Sequence, residues 1–137
     1  QNIMIKYVIR AKKNPIAKIV KYYPQIAPTT PVTLAQIVKR IEKRSTVSSA
    51  DVKAVLDALQ YEVIEALQNG NSVRLGDLGS FRLSIKANGS TTSDEARRTG
   101  ANAIKAVNVQ FTKSTAMRDA LSPSGVEFAL QEDISND

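Results

Sequence analysis

The sequence contains neither cysteine nor histidine among its 137 residues. Their absence excludes disulfides, thiol chemistry and His-based acid–base catalysis, and it removes the ligands of most zinc sites. No glycine-rich phosphate loop or nucleophile elbow is present, and the acidic pairs Asp94-Glu95 and Glu132-Asp133 lie in polar segments that are poor sites for catalysis. We therefore predict no enzyme, no metal, no cofactor and no small-molecule substrate.

The sequence also lacks long apolar runs and, in its first part, acidic residues. No run of 18 apolar residues is present to span a bilayer, and no charged-then-apolar leader is present at the N-terminus, so we expect a cytoplasmic protein without membrane contact. Residues 1–30 carry six lysines and arginines and no acid, whereas residues 122–137 carry four acids and no base. The formal net charge of +6 suits a polyanionic partner such as nucleic acid.

Two β-branched and aromatic runs, residues 4–10 and 17–23, flank a turn marked by Asn14-Pro15. They predict either a hairpin or two separate strands. We expect six of their side chains to face inward, with the lysines outward: Ile5, Val8, Ile9, Ile19, Val20 and Tyr22. The prolines that follow predict an extended linker from Pro24 to Val32 and a domain boundary near Pro31.

Two helices are predicted next. Thr33 can cap an amphipathic helix with a basic face, whose apolar residues Leu34, Ile37, Val38 and Ile41 recur at helical spacing. Ser48 can cap a second helix that ends near Gln68. Its apolar stripe is broader than one short partner helix can cover, so part of it needs a further partner.

Asn69-Gly70 predicts the end of the second helix, and strands and a short helix follow. Val73 and Leu75, then Phe81, Leu83 and Ile85, alternate with polar residues on either side of a Gly-Asp-Leu-Gly turn. Residues 87–100 have no apolar periodicity and predict an exposed excursion, and residues 101–111 predict a third strand. Ser114 can cap a short helix that Pro123 stops, and the tail beyond it either docks one strand or stays loose.

This order of elements resembles the HU/IHF family of bacterial DNA-bending dimers. The run Asp77-Leu78-Gly79-Ser80-Phe81 is similar to that family's Gly-Phe-Gly-Thr-Phe turn, with Leu for the first Phe and Asp for the first Gly. Residues 109–114 and 116–121 resemble its last strand and closing helix. The resemblance covers about residues 33 to 121.

The resemblance implies an α+β, HU-like fold assembled as an intertwined homodimer, with an added N-terminal β extension. The expected segments are a β extension and linker at 1–31, a DNA-binding domain at 32–122 and an acidic tail at 123–137. On a dimer of this fold, basic residues would meet on one saddle-shaped face that holds double-stranded DNA. The candidate DNA-binding residues are Arg82, Lys86, Arg97, Arg98, Lys105, Lys113 and Arg118.

The sequence departs from the family pattern where the family carries a long DNA-embracing β-arm. The family's Arg-Asn-Pro arm tip places a proline between base pairs, but no proline occurs here between Val32 and Ser122. Asp94 and Glu95 put negative charge into the same segment. These departures predict a divergent subfamily with a short or rearranged arm.

We therefore predict a nucleoid-associated homodimer that binds double-stranded DNA with little sequence preference and bends it weakly. The alternative is a structural or protein-interaction module that kept the dimer scaffold but lost DNA binding, with the N-terminal strands pairing edge to edge with a partner.

Overall fold

The computed structural model describes residues 4–131, which divide into two compact units. The terminal unit comprises residues 4–32 and 119–131, and the central unit comprises Thr33–Arg118. Of the described hydrophobic residues only four are buried: Val8 and Ala27 in the terminal unit, and Val38 and Val52 in the central unit. No helix within residues 4–131 is long and apolar enough to cross a membrane.

The terminal unit is built on a three-stranded sheet of order β2-β1-β6. Strands β1 (Met4–Lys13) and β2 (Val20–Ile26) form an antiparallel hairpin, and β6 (Glu127–Leu130) lies parallel to the first residues of β1. The hairpin expected as one of two possibilities is thus present, and the tail contributes one strand. The register places Ile5, Tyr7 and Ile9 on one face with Tyr22, Pro24, Ile26 and Phe128.

The linker predicted to start at Pro24 is wrong at its beginning, because β2 continues through Pro24 to Ile26. Ala27 N–H donates to Lys6 O, and Asn14 N–H donates to Ile19 O. Hydrogen-bonded and non-hydrogen-bonded residue pairs alternate along an antiparallel ladder, so these two bonds determine which β2 residues bond to β1. By that alternation Pro24 faces the free edge of the sheet, where a missing N–H costs no ladder bond. Proline is therefore compatible with this edge strand.

The expected inward packing of the N-terminal strands is also largely wrong. Of the six side chains expected to face inward only Val8 is buried, and every residue from Ile9 to Ile26 is exposed. Ile19 lies in the turn rather than in a strand, since β2 starts only at Val20. The alternating pattern predicted the strands correctly, but alternation along a strand does not show whether another element packs against its apolar side.

Two helices open the central unit as expected. Helix α1 (Leu34–Arg44) begins with a capping box in which Thr33 and Gln36 bond to each other's backbone N–H groups. Helix α2 (Ser49–Gln68) is capped by the Ser48 hydroxyl, which accepts from Asp51 N–H. The Glu42 carboxylate accepts from the hydroxyl of Ser49 at 2.6 Å and thereby ties the end of α1 to the start of α2.

An antiparallel sheet of order β3-β4-β5 completes the central unit, formed by β3 (Val73–Leu75), β4 (Gly79–Ala87) and β5 (Ile104–Lys113). Phe81 pairs with Phe111, and their ring centroids are 5.2 Å apart. The short helix α4 (Thr115–Ala120) follows, with Met117 N–H donating to the Ser114 hydroxyl as the cap predicted.

The excursion predicted between β4 and β5 is ordered as a helix. Helix α3 (Ser93–Thr99) is followed by a 3-10 helix over Gly100–Ala103, so β5 begins three residues later than predicted. The helix is specified by its ends instead of by apolar periodicity. Thr92 caps it by accepting from Glu95 N–H, while acids occupy its first turn and arginines its last, as the helix dipole favours.

Candidate nucleic-acid interface

The central sheet has one polar, cationic face. Antiparallel partners point to the same side, and the register pairs Arg82 with Gln110, Ser84 with Asn108, and Lys86 with Ala106. Arg82 and Lys86 are both exposed and lie four residues apart on β4, about 13 Å along the strand. Two of the candidate DNA-binding residues therefore share one accessible surface.

Arg74 is a third cation on this face and is not among the candidate residues predicted from the sequence. It pairs with Ser80 across β3 and β4, which puts it on the same side as Arg82, and it is exposed. The signal was present as the alternation of Val73, Arg74 and Leu75, but a three-residue strand shows its side only once its pairing partner is known. We call Arg74, Arg82 and Lys86 the cationic face.

Three further candidates lie where β4 and β5 end. The register shift between Lys86 and Ala87 leaves Lys105 as an extra residue on β5 without a partner on β4. Arg97 and Arg98 occupy the last turn of α3, which lies within the segment that joins these strand ends. The Arg97 guanidinium contacts the Asp94 carboxylate at 3.0 Å. Both side chains are exposed, so water screens their attraction and Arg97 can readily exchange this carboxylate for another anion.

Lys113 and Arg118 lie away from this group. Lys113 pairs with Gly79 at the opposite end of β5, and its odd position puts it on the other side of the sheet from Arg82. Arg118 belongs to α4, whose first turn is fixed by Ser114: its N–H donates to Leu78 O and its hydroxyl to Asp77 O. The candidate set is thus divided between the two ends of the sheet.

The reverse side of the central sheet is apolar. It carries Phe81, Leu83 and Ile85 opposite Phe111, Val109 and Val107. Ile85, Val107 and Val109 are each 58–59% exposed, and on α2 Val55, Tyr61 and Ile64 are equally open. Helix α2 contacts β3 and β4, but its 20 residues leave much of its own apolar surface uncovered. We call Ile85, Val107 and Val109 the apolar face.

Arginine and lysine side chains of this kind can neutralise phosphates, since each is a long stem with a charged donor group at its end. Within residues 4–131 no group of three or more acidic side chains is arranged to hold a metal ion. The chemistry that the surface offers is electrostatic recognition of a polyanion.

Comparisons with known proteins identify the family of this chain and several similar proteins. The family described as "HU domain fused to wHTH, Ig, or Glycine-rich motif" matches residues 3–128. A curated relative, DNA-binding protein HU from Thermus thermophilus, is 40% identical over 52 residues, which are 38% of this chain and 54% of the relative.

Among solved structures, a putative bacterial DNA binding protein from Bacteroides vulgatus matches with a TM-score of 0.68 and 18% identity, over 100% of this chain and 52% of that one. A cocrystal structure of Anabaena HU with DNA matches with a TM-score of 0.49 and 21% identity, over 65% of this chain and 96% of that one. This chain spans about half the length of the Thermus and Bacteroides proteins. At 18% identity the Bacteroides match concerns the fold alone.

Proposed function

Because this chain belongs to the family of HU domains fused to a wHTH, Ig or glycine-rich motif, we propose that it binds double-stranded DNA as a homodimer. Its α+β, HU-like fold is the one that the sequence predicted. We assign DNA binding to the segment 32–122, and to the protein a nucleoid-associated role in the cytoplasm without catalysis.

The observation that carries the DNA-binding proposal is the register of the central sheet. It gathers Arg74, Arg82 and Lys86 on one exposed side, with only polar and small partners around them. We also assign DNA contacts to Lys105, Arg97 and Arg98, which lie in the segment where β4 ends and β5 begins, while Lys113 and Arg118 would contact DNA elsewhere. Contacts to phosphates carry no sequence information, so affinity should depend little on sequence.

The homodimer is supported by the apolar face and by α2. The central unit has 86 residues, yet Val38 and Val52 are its only buried hydrophobic side chains among those described. So small a core does not offset the conformational entropy lost on folding. A twofold partner that covers Ile85, Val107, Val109 and the open side of α2 would supply the missing burial.

Weak bending follows from what the central unit presents to DNA. The segment between β4 and β5 holds a capped helix whose seven residues include no large apolar side chain. Without a wedge to separate base pairs, sharp kinking of the duplex has no compensating contact. Energy transfer between the labelled ends of a bound duplex should therefore report a small bend, and a large bend would refute this part of the proposal.

The test of DNA binding removes charge from the cationic face. Arg82→Gln with Lys86→Gln should weaken binding to a random duplex about tenfold or more at low salt and lower the salt slope by up to about 0.9 for each lost contact. Lys39→Gln with Lys53→Gln, on α1 and α2, makes the same change in net charge and serves as the control. Equal affinities of the two double variants would contradict the assignment.

The alternative, a protein-interaction module that pairs by its N-terminal strand edges, has less support. β6 occupies the edge of β1 from Met4 to Tyr7, and Pro24 interrupts the donors along the free edge of β2. A native chain that binds no duplex at low salt would leave this alternative in place.

A further inference from the structure

The distal part of the β1–β2 hairpin is a bare two-stranded ribbon. β6 pairs with β1 only from Met4 to Tyr7, so residues 8–13 pair with β2 alone among the described strands. Six residues of antiparallel strand extend about 20 Å. We call residues 8–25, with their turn, the N-terminal arm. From Ile9 onward every residue of the arm is exposed.

The arm has an ordered tip with an apolar side chain. The Asn14 side-chain oxygen accepts from the N–H groups of Ile16 at 2.8 Å and Ala17 at 3.1 Å, and Asn14 O accepts from Lys18 N–H at 2.7 Å. Pro15 fixes its own φ within this turn. Ile16 is 92% exposed, which is more than any other large apolar side chain in the described chain. Because this hydrogen-bonded turn leaves the Ile16 side chain in water, the side chain contributes almost no apolar burial to the folding of the terminal unit.

The charges on the arm also oppose its folding. Lys12 lies directly across from Lys21 in the register, and like charges in that position repel. No acidic residue occurs before Glu42, so the two strands of the arm and their turn carry no acid of their own. Lys13 and Lys18 flank the turn, and the Lys12 ammonium lies 6.0 Å from the Tyr23 ring centroid. A polyanionic ligand would turn this repulsion into attraction.

We propose that the N-terminal arm is a second contact surface for double-stranded DNA. Its lysines neutralise phosphates, and its tip carries Ile16 into a groove of the duplex. This surface belongs to the terminal unit and is separate from the cationic face of the central unit. The inference rests on the proposed DNA binding and adds a second surface to it.

The decisive variant is Lys12→Gln with Lys21→Gln. It should weaken binding to a fluorescently labelled random duplex about tenfold or more at low salt, and lower the salt slope by up to about 1.8 per arm. Because the change relieves a repulsion, the thermal unfolding temperature should stay the same or rise. A fall in that temperature, or an affinity equal to that of the Lys39→Gln and Lys53→Gln control, overturns the proposal.

Ile16→Ser tests the tip independently of charge. We expect about a fivefold loss of affinity with an unchanged salt slope, because the lost contact is apolar. At an exposed position the substitution leaves folding intact, so an affinity equal to that of the native chain contradicts the role of the tip.

Comparison with the sheet variant Arg82→Gln with Lys86→Gln separates the two assignments. If the sheet variant binds weakly and both arm variants bind as the controls do, the arm inference fails while the proposed function stands. If only the arm variants lose affinity, the arm is supported and the cationic face is refuted. If the native chain fails to bind the duplex at 50 mM salt, both are refuted.

Discussion

Each of the two described sheets has three strands and one side rich in basic residues. The segments that connect their paired strands differ in structure and in charge. In the central unit the capped helix α3 lies in the segment that joins the end of β4 to the start of β5, and its Asp94 contacts its Arg97. In the terminal unit β1 and β2 end in a short turn whose lysines have no acid near them in sequence. The first end carries acids beside its arginines, whereas the second carries lysines without an acid in the same segment.

The largest expected effect concerns what covers the apolar face of the central sheet. Val109→Asp places a carboxylate on that face, where it can stay hydrated in a monomer because the residue is 58% exposed. In a dimer it buries an unpaired charge and should weaken association by about 3 kcal/mol or more. Sedimentation equilibrium measures the loss.

Asn108→Asp is the matched control for this variant. It adds the same charge one residue away, on the opposite side of the sheet. The dimer proposal requires that Asn108→Asp associates like the native chain. A Val109→Asp variant that sediments as a dimer at micromolar concentration would be incompatible with it.

The next effect concerns the turns. The central sheet requires Gly79, because an added Cβ would lie 2.3 Å from Thr112 O and 2.7 Å from Phe111 Cζ. Gly79→Ala should lower the free energy of unfolding by about 2–4 kcal/mol, as measured by denaturant titration. Gly89→Ala, with nothing within 4 Å, is the control and should change little. The turn of the arm contains no glycine and has Lys18 at φ 57° instead.

A smaller effect is expected at α3. Arg97→Ala with Arg98→Ala should lower DNA affinity similarly for all sequences and flatten the salt slope by up to about one unit per lost contact per subunit. Both arginines should contribute, because the exposed Arg97–Asp94 pair is readily exchanged for a phosphate. Asp94→Asn should raise affinity slightly, because it removes a negative charge from this segment. Binding like the native chain at every salt concentration would remove α3 from the interface.

The smallest effect is expected at the free edge of the terminal sheet. Pro24→Val restores an N–H on the outer side of β2 and should change unfolding free energy by no more than about 0.5 kcal/mol. It should nevertheless increase concentration-dependent association, which light scattering detects, because an uninterrupted edge can pair with another chain. Unchanged scattering at high concentration would show that Pro24 does not protect this edge.

The sequence predicted most of the elements of this fold because their signals are local. Thr33 and Ser48 cap α1 and α2 as expected, and Gly70 follows the end of α2. Helix α3 was missed since it has no apolar stripe, although its Thr cap and the order of its acids and arginines were visible in the sequence. By sequence alone Pro24 predicts the end of the strand, but an edge strand tolerates proline.

The site was less predictable because it depends on pairing. Arg82 and Lys86 share a face by simple alternation, whereas Arg74 joins them only through the pairing of β3 with β4. Lys113 was grouped with them by sequence, and the register puts it on the other side and at the far end of the sheet. Periodicity shows which residues of one strand share a face, but only the pairing register shows which residues of neighbouring strands lie beside them.

Electrostatic DNA binding with little sequence preference can be measured by titrating the native chain against two unrelated duplexes across a range of salt concentrations. We expect steep, nearly parallel lines of log affinity against log salt, with slopes that correspond to several phosphates per dimer. A slope near zero, or a large offset between the two duplexes at all salt concentrations, would contradict it.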